Sequence, residues 1–250
     1  MKKVVCITGV AGGIGSATAR VFTKADWHVI GVDRKNVSNL PSGVDRYIST
    51  DISNPEAIRD IFNGISQREG RLDALINNAA VQVVKTLVDT QIEEWDSLMA
   101  VNVRSVYLAI KYAYPLLRQD KGSVVNVSSV HAIATSCNMA AYAISKGAIL
   151  ALTRSAALEL AADQVRVNTV LPGAIDTQML RAGLIRGDAT AVTVEQRLKE
   201  LSKKHALGRL GMPEEIAQMI LFLADNQKTA FMTGQSIIVD GGATAQLSTE

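Results

Sequence analysis

The sequence predicts a single doubly wound α/β domain, in which a mostly parallel seven-stranded sheet is flanked by helices on both faces. Two observations support this fold class. Short apolar, β-branched segments alternate with longer segments of helical periodicity along all 250 residues, and a glycine-rich turn joins the first strand to the first helix. The chain contains no linker, fixed-period repeat or low-complexity tract, so we expect one domain spanning 1–250.

Composition excludes several classes of function. Hydrophobic residues make up 48% and charged residues 20% of the chain, and the net charge of +2 is scattered, so no nucleic-acid partner is predicted. No apolar run is long enough to span a membrane, and the run after Lys2 and Lys3 is too short for a secretory signal. Because Cys6 and Cys137 form neither a metal-ligand nor a disulfide pattern, we expect a cytoplasmic protein without a bound metal.

The first two predicted elements enclose the glycine-rich turn. Residues 3–7 form an apolar strand, and residues 14–25 have the periodicity of a helix. Between them, Gly9, Gly13 and Gly15 would let a phosphate approach the backbone N–H groups and the positive dipole at the helix N-terminus. A purely structural loop is the alternative.

An acidic residue ends the second predicted strand, His28–Val32. Asp33 lies about twenty positions after the glycine turn, where a dinucleotide-binding domain places the carboxylate that binds the adenosine ribose. A 2′-phosphate beside Asp33 would meet a repulsion on the order of 4 kcal/mol per charge pair, which favours NAD over NADP. The adjacent Arg34 could bind that phosphate instead, and a solvated Asp–Arg pair at a strand end is a further alternative.

The third and fourth predicted strands also end in polar residues. Residues 47–52 form the third strand, and Asp51 could either reach an adenine amino group or cap the helix that begins near Pro55. The fourth strand, 72–76, runs into Asn77–Ala80. The small side chains and amides of that segment would permit close approach of a ligand, or would only form a turn.

Two polar residues stand out in the central part of the chain. The pattern from Ile92 to Leu117 is helical, and Asn102 within it is disfavoured by helix propensity, so its side chain is exposed, satisfied in the core or functional. Gly122–Ser129 is predicted as the fifth strand and puts Ser129 at its carboxyl end, where ligands collect in open parallel sheets.

The helix predicted at 140–162 carries a tyrosine and a lysine on one face. Tyr142 and Lys146 are four residues apart, which places a phenol beside an ammonium group. Acid–base work near neutral pH requires the tyrosine pKa to fall by roughly 3 units, and since burial alone raises it, a fixed cation is the obvious remedy. A chance pairing is the alternative. Small residues on the far side of the helix would suit packing against another subunit or within the domain: Ala148, Ala151, Ala156 and Ala157.

The remaining segments complete the alternating pattern. The sixth strand, 165–171, is stopped by Pro172-Gly173, and a helix at 213–224 and a last strand at 236–239 end the fold. Residues 178–206 are more charged and less periodic, which is typical of a substrate lid.

Taken in order, these segments resemble the classical short-chain dehydrogenase/reductase family over residues 3–242. The motifs that carry the resemblance are Thr8–Gly15, Asp51, Asn77–Ala80, Ser129, Tyr142 with Lys146, Pro172-Gly173 and Thr177. The resemblance implies a Rossmann-type domain that binds NAD(P) and transfers a hydride between nicotinamide and a small alcohol or ketone.

The resemblance also implies roles for four residues. Tyr142 would be the general acid/base, and Lys146 would lower its pKa and bind the nicotinamide ribose. Ser129, thirteen residues before Tyr142, would hydrogen-bond the substrate oxygen in preference to Ser128. Asn102 would kink its helix and hold a water that links Lys146 to solvent.

The implied cofactor contacts extend over the whole domain. They are Gly9, Gly13, Ile14, Gly15, Asp33, Asp51, Ile52, Asn78, Tyr142, Lys146, Pro172, Gly173, Ile175 and Thr177. Ala80 departs from the family pattern, which has glycine there. We expect the added methyl group to be tolerated because the turn need not require positive φ at this position.

The leading hypothesis is therefore an NAD-dependent oxidoreductase that interconverts a secondary alcohol and a ketone. An NADPH-dependent reductase of β-ketoacyl type and a non-catalytic nucleotide-binding protein are the alternatives. Family resemblance suggests a homotetramer, or else a homodimer. Substrate identity stays open. The pocket is expected to be lined by residues near Val81, Gln82, His131, Ile133, Thr135 and Ala174 and by the 178–206 segment, with His131 either contacting a substrate hydroxyl or acting as a bystander. The lid residues Arg181 and Arg186 would either contact an acidic substrate or stay solvated.

Overall fold

A computed structural model of the protein describes residues 2–36, 39–186 and 193–246. Within these ranges the strands are β1 (Val4–Thr8), β2 (His28–Asp33), β3 (Arg46–Ser49), β4 (Ala74–Asn77), β5 (Ser123–Val127), β6 (Arg166–Pro172) and β7 (Ser236–Val239). The helices are α1 (Gly13–Lys24), α2 (Pro55–Arg68), α3 (Ile92–Met99), α4 (Ser105–Asp120), α5 (Ala140–Glu159), α6 (Gln178–Arg186), α7 (Val194–Lys203), α8 (Pro213–Ala224) and α9 (Asn226–Thr229).

The seven strands form one sheet in the order β3-β2-β1-β4-β5-β6-β7, and every neighbouring pair is parallel. This confirms the predicted doubly wound α/β class and makes the described sheet entirely parallel. The chain moves outward in one direction through β2 and β3 and in the other through β4 to β7. The switch between β1 and β4 leaves a crevice at the carboxyl ends of the strands.

Helices cover both faces of the sheet, so the central strands are buried on both sides. All residues of β1, β4, β5 and β6 are buried. One face packs against α2, α4 and α5, and the other packs against α1 and α8. Leu75 and Phe22 are fully buried, and burial of a side chain of this size contributes about 1.5–3 kcal/mol to stability. The rigid sheet therefore fixes the position of each strand end.

Three predicted boundaries are wrong for identifiable reasons. The single helix expected at 92–117 is divided by a wider π-helical turn at Ala100–Arg104, which contains Asn102. The third strand ends at Ser49, because Asp51 accepts a hydrogen bond from the backbone N–H of Ser53 at 2.8 Å and turns the chain. Helix α5 ends at Glu159, where a short 3₁₀ turn follows.

The segment expected to form a lid, 178–206, contains α6 and α7, which we call the cover; residues 187–192 lie outside the described part of the chain. Arg181 does not point a free charge toward a substrate, since it pairs with Asp176 at 2.9 Å and with Glu195 at 3.8 Å. The side chain of Arg186 is not among those described. No helix within the described residues combines the length and the apolarity that a membrane span requires.

Candidate active site

A cleft of about 810 Å³ opens at the carboxyl ends of the strands on both sides of the switch point. Its floor is formed by the turn after β1 and by the ends of β2, β4, β5 and β6, and its roof by residues of the cover such as Leu184 and Leu201. This volume exceeds what a small alcohol alone would fill, and it lies within the usual range of about 300–1,000 Å³ for ligand and cofactor sites.

The glycine turn is tightly folded against the segment after β4. Gly9 has a φ of +68°, and a Cβ atom on it would lie 2.7 Å from the Cα atom of Ala79. A Cβ atom on Gly15 would lie 2.1 Å from the carbonyl oxygen of Gly9. These glycines are therefore required for packing. The turn also leads into α1, whose first turn has Gly12 at its N-cap, no side-chain cap and no acidic residue. Its N–H groups are available to an anion.

The loop after β6 forms the opposite wall of the phosphate end. Thr177 packs against Gly13, where a Cβ atom would come within 2.7 Å of the threonine methyl group. Pro172, Gly173 and Ile175 line the cleft beside it. The structure thus brings the glycine turn and the β6 loop together, as the resemblance implies.

Asn78 supports the glycine turn through its side chain. Its Nδ2 atom donates to the carbonyl oxygens of Thr8 and Gly9 at 3.0 and 3.1 Å, while its backbone N–H donates to the Thr8 hydroxyl. Ala80 lines the cleft and does not adopt positive φ, which agrees with the expectation that its methyl group is tolerated.

Charged residues surround the far end of the cleft, beyond the glycine turn. The Asp33 carboxylate accepts hydrogen bonds from the backbone N–H groups of Ala11 at 3.0 Å and Lys35 at 3.1 Å, so its orientation is fixed. Arg34 also lines the cleft, and it makes no hydrogen bond or ion pair with the described residues. Asp51 and Ile52 complete this end. Asp51 does not cap α2, because the N-cap is Asn54.

The other end of the cleft contains the tyrosine, lysine and serine predicted from the sequence. Tyr142 and Lys146 lie one turn apart on α5, with the Lys146 Nζ atom 5.6 Å from the centre of the tyrosine ring. Ser129, just beyond β5, lies beside the Tyr142 phenol, close enough for its hydroxyl to lower the pKa of Tyr142. The hydroxyl of Ser128 donates instead to the carbonyl oxygen of Lys146 at 2.8 Å. Ser129 is thus the serine placed beside the phenol.

Burial dominates the electrostatics of this group. It raises the pKa of Tyr142 to about 12, although the neighbouring Ser129 hydroxyl acts in the opposite direction. Burial also lowers the pKa of Lys146 to about 8. The Lys146 ammonium donates to the carbonyl oxygen of Val127 at 2.8 Å. At pH 7, Tyr142 is therefore a neutral phenol and most Lys146 side chains carry a charge.

Asn102 lies behind the tyrosine and lysine and is fully hydrogen-bonded. Its Oδ1 atom accepts from the Val81 N–H at 2.9 Å, and its Nδ2 atom donates to the Val81 carbonyl at 2.9 Å and to the Ser145 hydroxyl at 3.0 Å. Ser145 in turn donates to the Tyr142 carbonyl at 2.7 Å. Asn102 thus connects the β4 loop to α5. Its side chain makes no hydrogen bond to Lys146 and does not line the cleft.

Sequence reasoning missed several residues of the site. Ser145 gave no signal because a serine within an apolar helix is ordinary, and only the fold brings it to Asn102. Arg197, Leu201, Lys204 and His205 line the cleft from α7 and its end, yet sequence predicted only a lid there. Of the expected pocket residues, Val81, Gln82, His131 and Ala174 line the cleft, whereas Ile133 and Thr135 are exposed outside it.

Comparisons with known proteins agree with this geometry. A family model described as enoyl-(acyl carrier protein) reductase matches residues 9–244. The chain is 36% identical to meso-2,3-butanediol dehydrogenase of Serratia marcescens, covering 97% of this chain and 95% of that protein. It is also 36% identical to 3-oxoacyl-(acyl-carrier-protein) reductase FabG of Thermotoga maritima, covering 96% and 97%.

Solved structures show the same relationship. The aldohexose dehydrogenase of Thermoplasma acidophilum in its ligand-free form superposes with a TM-score of 0.91 at 31% identity, covering 100% of this chain and 96% of that one. The match of sequence, sheet order and cleft runs over nearly the whole chain. The protein therefore belongs to the short-chain dehydrogenase/reductase family and is an NAD(P)-dependent oxidoreductase that acts on CH–OH groups of small molecules.

Proposed function

We propose that this protein is an NAD-dependent oxidoreductase that interconverts a secondary alcohol and a ketone, with Tyr142 as general acid/base. One observation carries the proposal. Tyr142, with Ser129 beside its phenol and Lys146 one helical turn away, lies in the same cleft as the uncapped N-terminus of α1. This arrangement supports a proton donor and a dinucleotide site that act on one small substrate.

The residues of the cleft fit a dinucleotide cofactor. The N–H groups at the start of α1 would bind the pyrophosphate, and Asp33 would accept hydrogen bonds from the adenosine ribose. Asp51 and Ile52 would contact the adenine, and Lys146 the nicotinamide ribose. When bound, NAD supplies the nicotinamide carbon that accepts or returns the hydride. The remaining proposed contacts are Gly9, Gly13, Ile14, Gly15, Asn78, Pro172, Gly173, Ile175 and Thr177.

Tyr142 and Ser129 would handle the proton. In ketone reduction, Tyr142 donates its phenolic proton to the substrate oxygen while Ser129 holds that oxygen in place. With a pKa of about 12, the tyrosine is in the correct protonation state for this direction. Alcohol oxidation requires the reverse transfer, so the phenolate must be stabilised. The Lys146 ammonium would provide that stabilisation, aided by the positive charge of the oxidised nicotinamide. Asn102 would act indirectly, by fixing α5.

The preference for NAD over NADP is supported by Asp33. Its carboxylate is held by two backbone N–H groups and cannot readily turn away from a 2′-phosphate. Two like charges about 4 Å apart near a protein surface repel by on the order of 4 kcal/mol. Exposed Arg34 and Lys35 offset part of this repulsion, because both line the same end of the cleft.

A second candidate is an NADPH-dependent ketone reductase of β-ketoacyl type. It is favoured by Arg34, whose guanidinium has no partner among the described residues and could bind a 2′-phosphate. The FabG relative is named as a 3-oxoacyl reductase, which supports the same candidate. The two candidates differ in the cofactor, and each predicts a different response to NADH and NADPH.

The cover and the oligomeric state complete the proposal. We infer that the chain is one domain in which α6 and α7 close over the substrate end of the cleft. A homotetramer or homodimer would cover three exposed apolar side chains on α4 and α5, namely Tyr107, Ile144 and Leu158. The alanine-rich face is divided, since Ala156 and Ala157 are buried within their own domain. Light scattering on the purified protein would measure the assembly, and a monomer would contradict this part.

The substitution Tyr142→Phe tests the proposed function. It removes one hydroxyl and keeps the ring in place, so turnover should fall by about 10³-fold or more while NADH affinity stays within a few-fold. Affinity is measured by thermal shift, because a ligand that binds only the folded state raises its stability. Retained turnover in this variant would rule out Tyr142 as the acid/base. Lost NADH binding would mean that the hydroxyl acts on the cofactor.

A further inference from the structure

His131 stands beside the proposed reaction centre. It lies in the 3₁₀ turn at Val130–Ala132, directly after β5, and its backbone N–H donates to the Ser129 hydroxyl at 3.2 Å. Its ring meets the Tyr142 ring edge to face, with 5.7 Å between the ring centres. Because Ser129 and Tyr142 would hold the reacting oxygen, the imidazole lies next to whatever is attached to the reacting carbon.

One nitrogen of the imidazole is available to hydrogen-bond a ligand. Its Nδ1 atom lies 2.9 Å from the Thr135 hydroxyl, whereas Nε2 has no hydrogen-bond partner within the described residues. Burial lowers the pKa of His131, so the ring is neutral at pH 7. Depending on the tautomer, Nε2 is a donor or an acceptor. A hydroxyl can pair with either form, and a carbonyl oxygen or a carboxylate can pair only with one.

Gln82, in the segment after β4, supplies a second neutral polar group. Its Nε2 atom donates to the Met179 carbonyl at 2.9 Å, and the amide lies against Gly183, where a Cβ atom would come within 2.3 Å. The side chain is therefore fixed under α6. Its Oε1 atom, which has no partner in the described chain, can accept a hydrogen bond.

The ionised groups that line the cleft from α7 and its end are cations, namely Arg197 and Lys204. Of the described lining residues, the only carboxylates are Asp33 and Asp51, and both lie at the adenosine end. A substrate carboxylate near Gln82 would face an amide oxygen rather than a donor. A simple alkanol would leave both the His131 nitrogen and the Gln82 oxygen without a partner after water is displaced.

We propose that His131 and Gln82 form a subsite for a second hydroxyl group, carried on the carbon next to the reacting carbon, so that the substrate is a vicinal diol. This rests on the proposed function. In the oxidation, the reacting carbon would give its hydride to the oxidised nicotinamide, and the hydroxyl on that carbon would give its proton to the phenolate form of Tyr142. The product is an α-hydroxyketone, and the second hydroxyl is unchanged.

The test compares butane-2,3-diol, as each stereoisomer, with butan-2-ol, which lacks only the second oxygen. With saturating NAD, we expect kcat/KM of the wild type to be about 10- to 100-fold higher for the best diol isomer. His131→Phe keeps an aromatic ring beside Tyr142 but removes both nitrogens, so this ratio should fall to near one. His131→Gln restores a hydrogen-bonding group and should recover part of the ratio.

Ile133→Ala is the matched control, since Ile133 is two residues away and 52% exposed outside the cleft. It should keep the wild-type ratio. A wild-type ratio near one, or the same ratio in wild type and His131→Phe, overturns the subsite. Reaction with neither alcohol also overturns it. In that case the thermal shift with NADH decides whether the proposed function fails as well, since a retained shift leaves a dinucleotide enzyme with a different substrate.

Discussion

The floor and the cover of the cleft differ in how firmly they are built. The floor includes Ser129, Tyr142 and Lys146, whose exposed fractions are 7%, 9% and 3%. Each is carried by β5 or α5 and bonded to the core. The cover, α6 and α7, instead exposes Met179 to 39% and Ile185 to 64%. In the proposed mechanism, proton transfer would therefore depend on buried elements, and substrate selectivity on a segment whose apolar side chains are partly exposed.

After Tyr142→Phe, we expect the largest loss of activity from the substitution Lys146→Ala. It removes the cation beside Tyr142 and the proposed ribose contact, so turnover should fall by about 100-fold or more and NADH affinity by about tenfold. Steady-state kinetics and an NADH titration measure the two effects. Arg154→Ala, an exposed cation on the same helix, is the control and should stay within about twofold. Loss of only one property would contradict the dual role.

Asp33→Ala tests the adenosine end of the floor. NADH affinity should fall by about 10-fold, because two ribose hydrogen bonds to a charged acceptor are lost. The increase in kcat/KM with NADPH should be several-fold if the second candidate is correct. It should be larger if Asp33 is the main barrier to the 2′-phosphate of NADPH. Asp60→Ala, at an exposed carboxylate on α2, is the matched control. An Asp33 variant that binds both cofactors as the wild type does would exclude the residue from the site.

Gly183→Ala perturbs the cover alone. A Cβ atom there would lie 2.3 Å from the Gln82 amide nitrogen, so the end of the Gln82 side chain must move and lose its hydrogen bond to the Met179 carbonyl. We expect KM for the alcohol to rise several-fold with kcat changed by less than about twofold. Gly64→Ala in α2 is the control, since it changes the same residue type in a helix away from the cleft. A collapse of kcat would mean that cover and floor are not separable.

The smallest effect concerns the pH dependence of stability. The native state lowers the pKa of Lys146 from 10.5 to about 8. Between these values the unfolded chain holds a proton that the native state has released, so the free energy of unfolding rises with pH. Urea denaturation of wild type and Lys146→Met should therefore diverge in favour of the wild type from about pH 8 to about pH 10.5. Parallel curves would show that burial does not disfavour the charged amine.

The alternation of strands and helices was predictable, because parallel strands covered on both faces read as short apolar runs separated by amphipathic helices. The sequence also predicted the tyrosine, lysine and serine, since their spacing and their position after β5 are local properties. Helix α8 and strand β7 were predicted at their observed boundaries.

Other features depend on contacts between distant segments. The π-helical turn at Ala100–Arg104 accompanies hydrogen bonds from Asn102 to Val81 and Ser145, which periodicity cannot reveal. The pairing of Arg181 with Asp176 and Glu195 removed a candidate substrate contact for the same reason. Gln82 joins the site only because α6 folds over it. Residues of the cover were the least predictable, because their roles follow from how the cover docks.

In our proposal, Ser129, Tyr142 and Lys146 catalyse the oxidation of a secondary alcohol with NAD as the hydride acceptor. The most direct test of this proposal is kcat/KM of the wild type for NAD against NADP, with butane-2,3-diol as substrate and reduced nicotinamide followed by absorbance. We predict a preference for NAD of at least about tenfold, together with loss of the signal in Tyr142→Phe. A preference for NADP would assign the ribose site to Arg34. Undiminished turnover in Tyr142→Phe would contradict the proposal itself.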